Sequence, residues 1–246
     1  MPSLIAVWDW DWSSLNENTD VFVPEALAPG LLSRLRRSHP EMPWTSLMDA
    51  AAGQLHARGV RREDLERALS ILPFFQEVPR AMEAVASAGG ANHVLSDANQ
   101  FYIAHGAMAM SVTHLLRSIV TNPASFDDAG RLRILPRTPP SAPHGCARCP
   151  PNLCKGKELE GMAAAHWAGS AETRVIYIGD GGGDVCACLR LGPRDVVAAR
   201  EGRDFALLPA LTTAPLAREM RARVRPWRDG AALLAILQAF IAEEEG

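Results

Sequence analysis

The first patterned stretch of the chain is Leu4-Ile5-Ala6-Val7-Trp8, five apolar residues without alternation, halted by Asp9. A run that is apolar on both faces belongs in the middle of a parallel sheet covered by helices, so it predicts a central strand. From Pro24 to Ala88 the spacing becomes helical: Leu27, Leu31, Leu32 and Leu35, then Leu47 to Leu55, then Leu65, Leu69 and Leu72, with no convincing strand. Asn92 to Ser96 predicts a second strand, ending in Ser96-Asp97, with a helix over 98–110. Ser118 to Thr121 predicts a third, closed by Asn122-Pro123, and Arg131 to Leu135 half of a hairpin entered through Asp128-Ala129-Gly130. The prolines between 136 and 154 exclude regular structure there. A helix is expected from Lys155 to about Gly169. Thr173 to Ile178 is the clearest strand after the first and runs through Gly179-Asp180-Gly181-Gly182-Gly183-Asp184 into an apolar helix reaching Leu191. Asp195 to Ala199 reads as the last strand, and Asp229 to Glu244 as an amphipathic helix.

Strands alternating with helices predict an α/β fold with a mostly parallel sheet, in which ligands bind beyond the carboxyl ends of the strands. Three polar clusters fall at those ends: Asp9/Asp11, Ser96/Asp97 and Asp180/Asp184. With 246 residues, 48% of them hydrophobic, the chain can bury a large α/β core or a core with a subsidiary domain. The formal net charge of −3 gives no basic field for nucleic acid or an acidic membrane surface. No apolar run approaches a membrane span and the start lacks a basic leader, so a cytoplasmic protein is expected. The five cysteines are odd in number and confined to the C-terminal half, which favours a reducing compartment over a disulfide scaffold.

Paired carboxylates after a buried strand can divide labour, one attacking an electrophile while the other moves a proton, although Asp-x-Asp also occurs in solvated turns. Asp180 and Asp184 would add oxygen ligands for a hard cation such as Mg²⁺. A phosphoryl group needs donors and positive charge around its oxygens. Ser96 offers a hydroxyl, and Lys155 or Lys157, the only lysines in the chain, an ammonium. A dinucleotide-binding loop at 179–183 is disfavoured because Asp180 would repel a pyrophosphate. Cys146-x2-Cys149-x4-Cys154, with His144 two residues earlier, has enough soft ligands for structural Zn²⁺, or it is a metal-free thiol loop.

Taken together, Trp8-Asp9-Trp10-Asp11-Trp12-Ser13, Ser96-Asp97-Ala98-Asn99, Lys155 and Gly179-Asp180 through Asp184 resemble, in order, the four motifs of haloacid-dehalogenase (HAD) phosphatases. Glu17-Asn18-Thr19-Asp20, Thr121-Asn122-Pro123 and the stretch from Cys146 to Lys155 narrow the resemblance to the phosphoethanolamine/phosphocholine and pyridoxal phosphate phosphatase subgroup. It implies a HAD-like Rossmannoid core at 1–13 and 91–246, with a parallel sheet, the Pro/Cys-rich loop 136–154, and an inserted α-helical (C1-type) cap at 14–90.

The resemblance further implies Asp9 as nucleophile and Asp11 as acid and then base. Mg²⁺ would be held by Asp9, the Asp11 carbonyl and Asp180, with Asp184 ordering its surroundings, while Ser96 and Lys155 grip phosphate. Asp20 and Asp97, with Asn99, would bind the substrate's head, Asp20 being alternatively a helix cap. The implied substrate is a small phosphorylated metabolite, phosphoethanolamine or phosphocholine, with pyridoxal phosphate, thiamine monophosphate or pyrophosphate as alternatives. A zinc-stabilised binding module without turnover is the non-enzymatic reading, and a monomer or homodimer is expected. The chain departs from the family pattern at Trp12, where an acidic residue is familiar, at Trp8 and Trp10 in place of Phe, and at Val185-Cys186-Ala187-Cys188. Trp12 could face a quaternary ammonium or pack in the core.

Overall fold

The computed structural model describes residues 4–167, 173–202 and 204–243. Its elements are β1 (Leu4–Trp8), α1 (Thr19–Leu27), α2 (Leu31–Ser38), α3 (Trp44–Ala57), α4 (Arg62–Ser70), α5 (Glu77–Ser87), β2 (Ala91–Asn99), α6 (Gln100–Ala109), β3 (Leu116–Asn122), β4 (Ala124–Phe126) and β5 (Leu132–Ile134). They continue with α7 (Lys155–Trp167), β6 (Arg174–Gly179), α8 (Val185–Cys188), β7 (Val196–Arg200), α9 (Leu207–Thr212), β8 (Arg223–Trp227) and α10 (Gly230–Ala242). The expected helix ends at Gly169 and Glu244 lie outside the described residues. No described helix is long and apolar enough to cross a membrane.

Six strands form one parallel sheet in the order β3-β2-β1-β6-β7-β8. The strands run outward from β1 to β3, then return to β6 on the other side of β1, so the topological switch point lies between β1 and β6, where ligands of open parallel sheets bind. The unbroken apolar run of β1 follows from its place. Leu4, Ala6 and Trp8 face one layer with Met82 and Val85 of α5 and Leu233, Leu237 and Phe240 of α10. Ile5 and Val7 face the other, with Leu159 of α7, Ala187 of α8 and Leu207 of α9. The indole of Trp8 donates to Asn92 Oδ1 at 2.9 Å, and the Asn92 amide donates to the Met82 carbonyl at 2.8 Å, so a polar pair is satisfied inside that core.

Sequence reasoning stopped the sheet one strand short. β8, with exposed Arg225 and Pro226, is an edge strand in which only Trp227 is buried, and its mixed polarity hid it beside the apolar β7. The hairpin is β4 paired antiparallel with β5. The helix expected through Leu191 is a single turn, α8.

The helical stretch expected as one block over 14–90 divides. α1 to α4 pack on one another, whereas α5 lies on the sheet against β1, β2 and α10. Its Val78, Ala81, Met82 and Val85 make one fully buried stripe, the signature of a helix covering a sheet. α3 is anchored to the hairpin by Asp49, whose carboxylate accepts from Arg131 at 2.7 Å, from Arg133 at 3.1 Å and from the Ile134 amide at 2.9 Å. Asp49→Ala removes the carboxylate acceptor of that amide and of both guanidiniums, leaving Arg131 the Asp49 carbonyl at 2.9 Å. We expect a loss of about 1–2 kcal/mol, read as a fall of a few degrees in Tm. An unchanged Tm would show that the anchor contributes nothing.

Candidate active site

The carboxyl end of β1 passes directly into a tight turn. The Asp9 amide closes the sheet ladder on the Ile178 carbonyl at 2.9 Å, and residues Trp10–Ser14 form one π-type turn, with the Leu15 amide bonded to the Trp10 carbonyl at 3.0 Å. Trp12 takes the left-handed conformation, φ 58°, uncommon for a bulky residue. The Ser14 hydroxyl donates to the Asp9 carbonyl at 2.7 Å and Ser13 to Asp180 at 3.2 Å, tying the turn to the end of β6. Asp9 and Asp11 thereby line one cavity of about 260 Å³.

That cavity is lined by six aspartates, Asp9, Asp11, Asp20, Asp97, Asp180 and Asp184, and by one basic side chain, Lys155. Lys155 Nζ lies 2.9 Å from Asp9 Oδ1 and 2.7 Å from Asp184 Oδ1, and all three residues are buried. Asp184 also accepts from the Tyr177 hydroxyl at 2.7 Å and from the amides of Asp180 and Gly181 at 3.1 and 3.0 Å. Burial alone would raise its pKa, but the Lys155 charge and these donors outweigh that and hold it below the usual carboxylate range. Gly179 is needed for this approach, because a Cβ there would sit 2.7 Å from the Asp184 carboxylate.

The other carboxyls are driven the opposite way. Burial first, then the charges of Asp184, Asp180 and Asp97, push Asp9 well above its ordinary value against the pull of Lys155. Burial and Asp184 raise Asp180 to about 7. Such a set asks for a cation: carboxylate oxygens of Asp9, Asp180 and Asp184 lie within 4.8 Å of one another, a hard-oxygen donor set fit for Mg²⁺. The Asp11 carboxylate is not in that group. It accepts from the Thr19 amide at 2.9 Å and the Thr19 hydroxyl at 2.7 Å, while burial and the charge of Asp20 raise its pKa well above normal. A carboxyl whose pKa is raised holds its proton more tightly than a free carboxylate, as general-acid work requires.

Ser96 and Asp97 stand where β2 breaks register with β3, between the Leu95–Val120 and Asn99–Asn122 pairs. The Thr121 hydroxyl donates to the Ala98 carbonyl at 2.8 Å, and the Asn122 amide to the carbonyls of Asp97 and Ala98 at 2.6 and 2.9 Å, holding the irregularity open. Asp97 lines the cavity. Ser96 is buried beside it, its Oγ accepting from the Ala98 amide at 3.2 Å. Asn99 reaches Asp20 at 3.5 Å but mainly caps α6. Asp20 is not a helix cap; Asn18 takes that role. Asp20 instead receives the indole N–H of Trp44 at 2.8 Å, and burial raises its pKa to about 7.

Three expectations change. The fourth member of the cysteine group is Cys186, not His144, whose ring nitrogens both meet backbone, at the Pro150 carbonyl and the Cys146 amide. Lys157 lies away from the cavity lining, leaving Lys155 as its cation. Trp12 stacks under the guanidinium of the chain's own Arg200, 5.6 Å away, and beside Phe205. Thr19, Trp44, Asn122 and Tyr177 were not foreseen as site residues. Thr19, Asn122 and Thr121 lay inside the family-like stretches, whereas Trp44 and Tyr177 read as ordinary apolar positions.

A parallel sheet with its switch point at these carboxylates and the ordered set Asp9, Asp11, Lys155, Asp180 and Asp184 define a HAD-type phosphatase. The family model described as "Putative Phosphatase" matches residues 4–241, and the chain belongs to that family of phosphomonoester hydrolases. It is 32% identical to a thiamine phosphate phosphatase-like protein of Arabidopsis thaliana, over 92% of this chain and 91% of the relative. It is 30% identical to inorganic pyrophosphatase 2 of Arabidopsis thaliana, over 99% and 87%, and 30% identical to the pyridoxal phosphate phosphatase PHOSPHO2 of Mus musculus, over 97% and 98%. Among solved structures, a substrate-bound phosphoserine phosphatase shares the fold with a TM-score of 0.58 at 15% identity, over 96% of this chain and 98% of that one. A HAD family hydrolase from Salmonella enterica serovar Typhi does so with a TM-score of 0.63 at 14% identity, over 100% and 73%.

Thr19→Val keeps the amide donor to Asp11 and removes the hydroxyl. We expect kcat to fall about tenfold, the cost of one charge-assisted hydrogen bond, with Tm little changed. Unaltered kcat would mean that Asp11 does not depend on Thr19.

Proposed function

We propose that this phosphatase hydrolyses a small phosphate monoester with a cationic head, phosphoethanolamine or phosphocholine. The observation that carries the reading is the charge distribution of the cavity. Its one basic side chain is already engaged by Asp9 and Asp184, while Asp20 and Asp97 have no ion-pair partner among the described residues. A cationic head would offset those carboxylates, and an anionic leaving group would be repelled by them.

In this reading Asp9, Asp180 and the Asp11 carbonyl would hold Mg²⁺, with Asp184 fixing the loop beside it. When bound, Mg²⁺ offsets the repulsion between the Asp9 carboxylate and the anionic phosphate. An Asp9 oxygen forms the bond to phosphorus as the ester P–O bond breaks, and the Asp11 proton goes to the departing alkoxide. Lys155, and Ser96 at the broken end of β2, hold the phosphoryl oxygens. Asp11, now ionised, takes a proton from the water that attacks the aspartyl-phosphate, releasing inorganic phosphate and restoring Asp9. The pair α3 and α1 supplies the roof, through Trp44 and Asp20.

One observation favours a second substrate. Trp44 lines the cavity, and a thiazolium is an aromatic cation, so thiamine monophosphate fits the same charge with an added aromatic contact. Pyrophosphate fits least, since its leaving group is an anion.

With Mg²⁺ present, we expect kcat/KM for the preferred cationic ester to exceed that for pyrophosphate by at least about 100-fold, equivalent to roughly 3 kcal/mol. Asp20→Asn should cost about tenfold or more on cationic esters and leave p-nitrophenyl phosphate nearly unaffected. Pyrophosphate as the best substrate, or an Asp20→Asn loss equal on all esters, would contradict the assignment. Asp9→Asn is expected to lower kcat by at least about 10³-fold in a chain that still folds, with Tm lowered by the loss of the buried Lys155 pair, and chelation of Mg²⁺ to abolish turnover reversibly. Turnover by the Asn variant near the wild-type rate would remove Asp9 from the nucleophile's role.

A further inference from the structure

Behind the catalytic cavity, the loop expected to be irregular delivers three thiols to a fourth. One sulfur each from Cys146, Cys149, Cys154 and Cys186 lies within 4.8 Å of all the others. The Cys186 sulfur is 3.7 Å from that of Cys146 and 3.9 Å from that of Cys154, and all five cysteines are free. A tetrahedral zinc ion with Zn–S bonds of about 2.3 Å places its sulfurs about 3.8 Å apart. We propose that Cys146, Cys149, Cys154 and Cys186 form a tetrathiolate site for a structural zinc ion.

The surroundings are built for such a group. The short Cys146-x2-Cys149 spacing curls so that both sulfurs reach the same point. Gly145, at φ 72°, enters that turn in the left-handed conformation glycine tolerates. Gly156 lets the first turn of α7 press on the fourth ligand: a Cβ there would stand 2.6 Å from the Cys186 sulfur and 2.9 Å from its carbonyl oxygen. Four bound thiolates around Zn²⁺ leave a net charge of −2, and each zinc bound releases four thiol protons. Arg190 lines one cavity with Cys146 and Cys186 and brings positive charge to the group, while its guanidinium also pairs with Glu160 at 2.7 Å. His144 is excluded by its two backbone contacts, and Cys188 is buried outside the group.

The placement gives the ion a structural task. Cys154 immediately precedes Lys155, and Cys186 follows Asp184 by two residues, so zinc would staple together the two segments whose side chains meet at the 2.7 Å Lys155–Asp184 pair. Each disulfide would join only two of these thiols, whereas one metal ion ties all four together, and all four are free.

The full chain, purified with reductant and without chelator, should carry one zinc ion as measured by elemental mass spectrometry. Substituting Co²⁺ should give the intense sulfur-to-cobalt absorption of a tetrathiolate. Cys186→Ser should reduce zinc retained after dialysis at least tenfold, while His144→Ala and Cys188→Ala retain it. Stripping zinc with a strong chelator should lower Tm by about 10 °C, because the binding free energy is lost from the native state. Should Cys186→Ser fail to fold, the Co²⁺ spectrum of the wild-type chain still decides the matter. A folded wild-type chain without zinc, iron in its place, zinc retained by Cys186→Ser, or zinc lost by His144→Ala would overturn the site. Metal content is read without substrate, so either result leaves the substrate assignment standing or falling on its own test.

Discussion

A single ammonium group draws three separate segments to one point. Lys155, at the first turn of α7, reaches Asp9 at the end of β1 and Asp184 beyond the end of β6, and all three side chains are almost wholly buried. Burial alone would push Lys155 toward its neutral form, but the charges of Asp184, Asp9 and Asp97 hold it protonated. Removing one partner from such a pair strands a buried charge, at a cost of about 3–5 kcal/mol. Much of the local structure follows from keeping that contact intact: Gly179 without a side chain, the Tyr177 hydroxyl on Asp184, and the π-type turn that brings Asp9 and Asp11 round to the same cavity.

In the proposed function the same contact shapes substrate choice. Because Lys155 is committed to Asp9 and Asp184, the outer carboxylates of Asp20 and Asp97 set the field that a leaving group meets. The relatives named as pyrophosphatases, thiamine phosphate phosphatase-like and pyridoxal phosphate phosphatases have leaving groups of different charge in their names, at nearly equal identity to this chain. Identity at this level therefore does not choose between substrates, and the proposed choice rests on the charge of the cavity. Trp44, donating to Asp20 from α3, makes the helical segment part of that choice.

The cavity-lining carboxylates and Lys155 were legible because their signals are local. A buried strand stopped by Asp, a glycine run ending in Asp, and two lysines in the whole chain leave little freedom. What escaped depends on partners distant in sequence. Trp8, Trp10 and Trp12 looked like one cluster, yet Trp8 bonds Asn92 inside the sheet core, Trp10 presses on Gly106 of α6, and Trp12 meets Arg200. Cys186 joins Cys146 only because α8 folds back on α7, and no spacing rule links residues forty apart. The exposed edge strand β8 lacks the apolar run that betrayed β1. The place of α5 escaped for a similar reason: its periodicity is as helical as that of α4, and only the sheet beneath it tells them apart.

The claim on which the rest converges is that the Asp9 carboxylate, held against Lys155, becomes covalently phosphorylated. Acid quenching during turnover of phosphoethanolamine with Mg²⁺, followed by borohydride reduction and peptide mass analysis, reads this directly. The account predicts a phosphoryl group on the peptide containing Asp9 and, after reduction, homoserine at that position. Turnover with no modified peptide at any quench time, or with the phosphoryl group on another residue, would contradict it.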